Sequence, residues 1–316
     1  MKKTLKTLLL TGILILGTGF VGCNKNEQPS ENLKVTLVLD EGGVNDESFN
    51  QSAWKGATTI KEKYGIDVTY LESKQESDYM QNIETAVDNG SDVVVGVGLK
   101  IADTLLKAAE NHPDVKFIII DATYDEISDN VLTTSFDEEQ SGYLAGLVAG
   151  KMGKTNKFGF IGGMEIPTVT RFAVGFEKAL KEINPENELL IQYANSFSDS
   201  AKGKAIAQSM YKEDVEIIFT AGGGVNTGVF ESARELGKYA IGVDLPCSKL
   251  APESIITSAL KNVDLGVEKA IESIINGTFE GGTHMLYNLE NGGVGYEKTN
   301  LIPQDVIEFV DGKMAK

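Results

Sequence analysis

Short β-rich runs alternate with amphipathic helical patterns along roughly two hundred residues of this chain, and parallel sheets covered by helices are the architecture that satisfies such an order. Strands are expected at 34–39, 67–71, 92–97, 115–120, 130–135, 157–161, 189–193, 215–219 and 239–243, with a further one at 255–260. Between them, 48–63, 77–89, 101–111, 138–152, 168–183, 201–211 and 227–236 carry apolar residues at three- and four-residue spacing. Asp199 or Ser200 offers a cap at the head of one helix, and Gly56, near the middle of the first, implies a close neighbour there. Grouped by unit, the elements make one βα series from 34 to about 136 and a second from about 138 to 244, followed by a mixed tail. An α/β fold of two Rossmann-like lobes with parallel sheets follows. Ligands of such folds sit beyond the carboxyl ends of the strands, here in the cleft between the halves. The loops after the strands are polar and glycine-rich, among them 40–46, Gly96-Val97-Gly98, Asp121-Ala122-Thr123, Gly162-Gly163, Asn195-Ser196-Phe197 and Gly222-Gly223-Gly224.

The amino terminus has a different character. Lys2, Lys3 and Lys6 precede an uncharged stretch from Leu8 to Val21, too short to span a bilayer as an ordinary helix but suited to the core of a signal peptide. Residues 1–22 are therefore expected to be cleaved as a lipoprotein signal, leaving Cys23, whose thiol can take a diacylglycerol; Phe20 stands where such signals usually carry leucine. Residues 23–32, polar and with Pro29, read as the lipidated cysteine and a flexible tether. The expected location is the extracytoplasmic face of the cell membrane. With Cys23 lipidated, Cys247 is the one remaining thiol and no internal disulfide can form. The roughly 290 residues that follow are of the size at which one core divides into two.

The formal charge is −17 at pH 7, and losing three lysines and no acids with the signal takes it to about −20. A nucleic acid partner needs a basic face to displace counterions, and no basic run exists. Arg171 and Arg234 are the only arginines, too few guanidinium forks for a phosphate or carboxylate clamp. An uncharged or weakly polar ligand suits the chain better. Catalytic patterns are missing: His112 and His284 lack a serine or cysteine elbow, and neither His-Glu-x-x-His nor Cys-x-x-Cys spacing occurs. Gly222-Gly223-Gly224 is not followed by Gly-Lys-Ser/Thr, and Gly96-x-Gly98 lacks a third glycine. No enzyme activity, cofactor or metal is expected.

The run Asn45-Asp46-Glu47-Ser48-Phe49-Asn50-Gln51-Ser52-Ala53-Trp54-Lys55-Gly56 is one of several separated motifs in a fixed order. The others are Gly162-Gly163, Arg171-Phe172 with Gly175-Phe176, Ser196-Phe197-Ser198-Asp199 with Lys202-Gly203-Lys204, Gly222-Gly223-Gly224, Gly242-Val243-Asp244 and Ser258-Ala259-Leu260-Lys261. Together they resemble the basic membrane protein family of substrate-binding lipoproteins, of which the purine nucleoside receptor is the best-defined type. The resemblance covers nearly the whole mature chain. It implies a type I periplasmic-binding-protein fold with three interdomain crossings, acting as nucleoside receptor for the permease subunits of an ABC importer. The chain departs from the family pattern at Leu245-Pro246-Cys247, where members commonly have a polar Asp-Gln pair. Crossings are expected near Phe136, between Asp244 and Leu250, and between Asn291 and Gly295. That gives a first lobe of 33–136 plus about 248–290 and a second of 137–247 plus about 291–316.

A nucleoside asks for flat apolar faces, paired donors and acceptors for the base edge, and polar anchors for the ribose hydroxyls. Phe49 and Phe197, in opposite halves, would sandwich a purine if both reach the cleft; the alternative is that each packs under its loop as core. Asn45 and Asp46 precede the first helix and either face the base or only cap backbone N–H groups. Asn50 joins them in the expected ligand set, Asp121 can accept from purine N–H groups, and Gly222 and Gly223 allow close backbone approach. Asp244 is positioned to accept from two ribose hydroxyls and Lys261 to donate to the same sugar, with a plain Asp244–Lys261 ion pair as the alternative. The expected ligands are adenosine, guanosine or inosine, bound by a monomer that closes about its hinge. A sugar or other solute on the same scaffold, a nucleoside hydrolase and a host adhesin are the competing readings.

Overall fold

A computed structural model describes residues 33–314. The expected signal segment 1–22, Cys23 and the expected tether to residue 32 lie outside the described residues, as do residues 315 and 316. The chain begins with β1 (Lys34–Leu39), α1 (Phe49–Tyr64), β2 (Asp67–Glu72), α2 (Asp78–Asp88), β3 (Val93–Val97), α3 (Ala102–Asn111), β4 (Lys116–Ile120) and β5 (Val131–Phe136). It continues with α4 (Glu138–Met152), β6 (Lys157–Gly162), α5 (Pro167–Ile183), β7 (Glu188–Tyr193), α6 (Ser200–Lys212), β8 (Ile217–Ala221), α7 (Val225–Leu236), β9 (Tyr239–Asp244) and β10 (Ile255–Lys261). The tail forms α8 (Val263–Ile275), β11 (Thr283–Tyr287), β12 (Val294–Tyr296) and α9 (Gln304–Met314).

Two six-stranded sheets result, ordered β11-β5-β4-β3-β1-β2 and β12-β10-β9-β8-β6-β7. Every pairing is parallel except β10 with β12. Helices cover both faces of each sheet, so the central strands carry apolar residues without alternation, and β3 (VVVGV) and β8 (IIFTA) are buried at every position. In the first lobe α1 and α8 lie on one face, with Ala53, Ile60, Val267 and Ile271 in one core, while α2 and α3 bury Ile83 and Leu105 on the other. The second lobe sets α4, α5 and α9 against α6 and α7 in the same way. This is the type I periplasmic-binding-protein arrangement. In both lobes the strand order reverses beside the first strand, at β1/β3 and at β6/β8, where the carboxyl ends open a crevice.

The close neighbour of Gly56 is α8: a Cβ there would fall on the Asp264 carbonyl. The second crossing needs correction. Residues 248–261 were assigned to the first lobe, yet β10 pairs with β9 from Ile255↔Ala240 to Leu260↔Asp244 and with β12 on its other edge. The apolar strand completes the second sheet, and the polar segment before it is only a connection within that lobe. The chain leaves the second lobe after Lys261; the other two passages run from Phe136 into α4 and from Tyr287 to Val294.

Candidate functional site

Where the carboxyl ends of the two sheets face each other, they enclose a cleft of about 570 Å³ of empty space, part of it open to solvent. Its first-lobe wall comes from Asp40 after β1, the head of α1, Gly98 after β3 and Asp121 after β4. The second-lobe wall comes from the start of α5, Phe197 before α6, the Ala221–Gly223 turn after β8, Asp244 at the end of β9 and Lys261 at the end of β10. Asp121 and Asp244 follow or end the fourth strand of their respective sheets, and both adopt left-handed backbone conformations (φ 72° and 65°). Such strain in a non-glycine residue persists where the surroundings hold it and concentrates at binding sites.

Of the residues singled out from sequence, Asp46, Phe49, Asn50, Asp121, Phe197, Gly222, Gly223, Asp244 and Lys261 line the cleft. Asn45 does not: it is exposed and absent from the wall. The turn before α1 directs Asp46 beneath the helix and Asn45 outward. The Asp46 carboxylate accepts the amides of Ser48 (2.9 Å), Asn50 (2.9 Å) and Gln51 (3.1 Å), so the capping role is real even though the side chain also reaches the cleft. Burial pushes its pKa up to about 6 against the pull of these three donors.

Two rings reach the cleft from opposite lobes. Phe49 opens α1, and Phe197 lies over Gly163, where an added Cβ would stand 2.5 Å from ring atom Cε1. Beneath Phe49 is the Lys261 ammonium, 5.0 Å from its ring centre, 5.2 Å from that of Phe136 and 5.9 Å from that of Phe172. Lys261 bonds Asp121 Oδ2 across the lobes and Glu138 Oε1 at 3.0 Å, and Glu138 Oε2 accepts Arg171 Nε at 2.7 Å. Burial alone would lower the Lys261 pKa, but the charges of Asp121, Glu138 and Asp244 hold it above its ordinary value. The simple Asp244–Lys261 ion pair is therefore not what forms; Asp244 Oδ2 instead accepts the hydroxyl of Ser48.

What remains at the wall is mostly acceptor. Asn50 gives its Nδ2 to Asp40 Oδ1 (2.7 Å), and its Oδ1 is buried without a partner; Asp121 Oδ1 is likewise buried and unpartnered. Among the described residues no donor reaches Asp244 Oδ1, and burial pushes the Asp244 pKa up to about 7 despite Lys261 and Ser48. The other cation on the wall, Lys100, is neutralised by Glu41 (3.3 Å) and Glu76 (3.1 Å). A guest must bring donors and no strong negative charge.

The expected ligand set left out Asp40, Ser48, Glu138 and Phe172, although Asp40 opens a loop expected at the cleft. Phe172 and Ser48 stood inside the quoted motifs, while Glu138 read only as a helix start. The divergent Leu245-Pro246-Cys247 lies behind the wall rather than on it. Cys247 is buried against Gly242, its thiol 3.2 Å from the Leu245 carbonyl, and burial pushes its pKa up to about 12.

A family model described as ABC transporter substrate-binding protein PnrA-like matches residues 33–314. A Lactococcus lactis subsp. cremoris protein named ABC transporter nucleoside-binding protein BmpA is 38% identical over 310 residues, covering 89% of this chain and 88% of the relative. Basic membrane protein A of Borreliella burgdorferi is 36% identical over 322 residues, covering 100% and 93%. Among solved structures, a solute-binding protein of an ABC transporter system from Aeropyrum pernix K1 superposes with a TM-score of 0.80 at 27% identity, covering 90% of this chain and 86% of the other.

Proposed function

The chain belongs to the PnrA-like family of ABC transporter substrate-binding proteins, and on that footing we propose that its interlobe cleft captures a purine nucleoside for import. The family is one of solute receptors, not of enzymes. The observation that carries the reading is a wall of unpartnered acceptors between two aromatic rings: Asn50 Oδ1, Asp121 Oδ1 and Asp244 Oδ1, with Phe49 and Phe197 from facing lobes. A purine riboside supplies the complement: a flat face for each ring, N–H groups for Asn50 and Asp121, and vicinal hydroxyls for Asp244. A 5′-phosphate would meet Asp40, Asp46 and Asp244 with Lys261 already neutralised, so the cleft selects the nucleoside over its nucleotide. Phe172 and the head of α5 add an apolar floor.

Calorimetric titration with adenosine, guanosine, inosine, uridine, ribose, adenine and inosine 5′-monophosphate tests this directly. Tight binding that needs both base and sugar, and that fails with the monophosphate, is the expected result. Binding of ribose alone with the affinity of a nucleoside would replace the reading with that of a sugar receptor. Phe49→Ala and Phe197→Ala should each weaken nucleoside binding by about 1–3 kcal/mol, the worth of one base–ring contact. Unchanged affinity in both would remove the sandwich.

The Gly22-Cys23 junction supports lipid anchoring at the extracytoplasmic face, with release of a Cys23→Ala variant from the membrane fraction as its test. The receptor works as a monomer that presents its closed form to the permease subunits.

A further inference from the structure

The hydroxyl of Ser48 has been reassigned by its neighbours. A serine at a helix N-cap ordinarily accepts a backbone N–H from the first turn. Ser48 holds that position on α1 and makes no such bond, because Asp46 takes the Ser48, Asn50 and Gln51 amides in its place. The released hydroxyl crosses between lobes. It donates to Asp244 Oδ2, and Asn226 Nδ2 donates to it at 3.4 Å. Asn226 is itself fixed, its Oδ1 accepting Thr220 Oγ1 and the Gly222 amide at 2.8 Å each. Ser48 and Asn226 are fully buried and neither lines the cleft, so the junction sits behind the ligand wall.

We propose that Ser48 is an interlobe latch and a positioning residue: its bond forms only when the lobes meet, and it holds Asp244 Oδ2 so that Oδ1 is presented to the ligand. The second half of this rests on the nucleoside reading; the first does not. A hydroxyl has one proton, and spending it on a carboxylate makes the stronger, charge-assisted kind of hydrogen bond. Asp244 is faced by Asp46 and Asp121 as like charges and by Lys261 as the opposite one, so Ser48 is the neutral donor that helps keep it ionised.

The test uses Ser48→Ala in the full-length protein, with inosine as probe. Dissociation should accelerate by about tenfold or more, the loss expected of one hydrogen bond to a charged group. The pH at which affinity falls off should also move upward, because the carboxylate without its donor protonates more easily. An unshifted pH profile with unchanged dissociation overturns the latch. Hydrogen exchange of the ligand-free protein decides separately: faster exchange at both 48–52 and 222–226 in Ser48→Ala, reproduced by Asp244→Ala from the other lobe, supports it. Unchanged exchange in both variants overturns it. If wild-type protein binds no purine nucleoside, the ligand reading alone fails, and the exchange pattern still rules on the latch.

Discussion

Asp46 and Asp244 subject this protein to two opposed pH dependences. Burial raises their pKa values to about 6 and about 7, so the folded chain binds these protons more tightly than the unfolded one. Stability from this source is fully present below the ordinary aspartate range and is lost as pH rises through the folded values. Urea unfolding of ligand-free protein should therefore give a larger free energy at about pH 5 than at about pH 8, whereas nucleoside affinity should be weaker at about pH 5 than at about pH 8, because Asp244 loses its charge on acidification. A common direction for both would refute the assignment of Asp244 as an acceptor. Much of this site was legible residue by residue because a strand-ending acid in an α/β fold has few places to go: Asp121 and Asp244 needed only the strand assignment. Asn45 and Asp46 were not separable, since both suit a helix cap and only the turn decides which one faces inward. Ser48 and Glu138 were illegible for another reason. Their partners, Asp244 and Lys261, lie far along the chain, and nothing local marks the bond.

At the scale of elements, glycines decide how closely the parts approach. Gly163, just past β6, leaves room for the Phe197 ring to lie on the backbone. Gly163→Ala should displace that ring and weaken nucleoside binding at least as much as losing part of one stacking contact, about 1 kcal/mol, with little change in melting temperature. A large loss of stability with intact affinity would show that Gly163 serves the core rather than the site. The alternating elements from β1 to β9 follow from apolar periodicity and fall within a few residues of expectation. The tail resisted. β11 (THMLY) is an edge strand with an exposed middle and β12 is three residues long, so neither carries a run or an alternation from which to be recognised. Their pairing with β5 and β10 depends on edges that other segments create.

For the whole molecule, Lys261 is the joint. It ends β10 where the chain leaves the second lobe, bonds Asp121 of the first, and shares Glu138 with Arg171. Lys261→Met should cost about 3–5 kcal/mol of stability, because Asp121 is left as an uncompensated buried acid, and the deficit should shrink as acidification neutralises it. A cost below about 1 kcal/mol at neutral pH would mean that the pair behaves as an exposed one. Two lobes and a cleft were readable from the repeat of βα units. The second crossing was not, because a crossing is defined by which sheet a strand joins, and the residues of β10 suit either.

The late position of α8 and β11 also dictates the order of assembly. The first lobe stays incomplete, with the apolar stripe of α1 and the free edge of β5 uncovered, until the chain has been made past β6 to β10 of the second lobe and through α8 and β11. A ribosome-bound intermediate therefore cannot complete the amino-terminal half as a finished unit; its maturation waits on α8 and β11, and until then its uncovered apolar surface is open to chaperone capture.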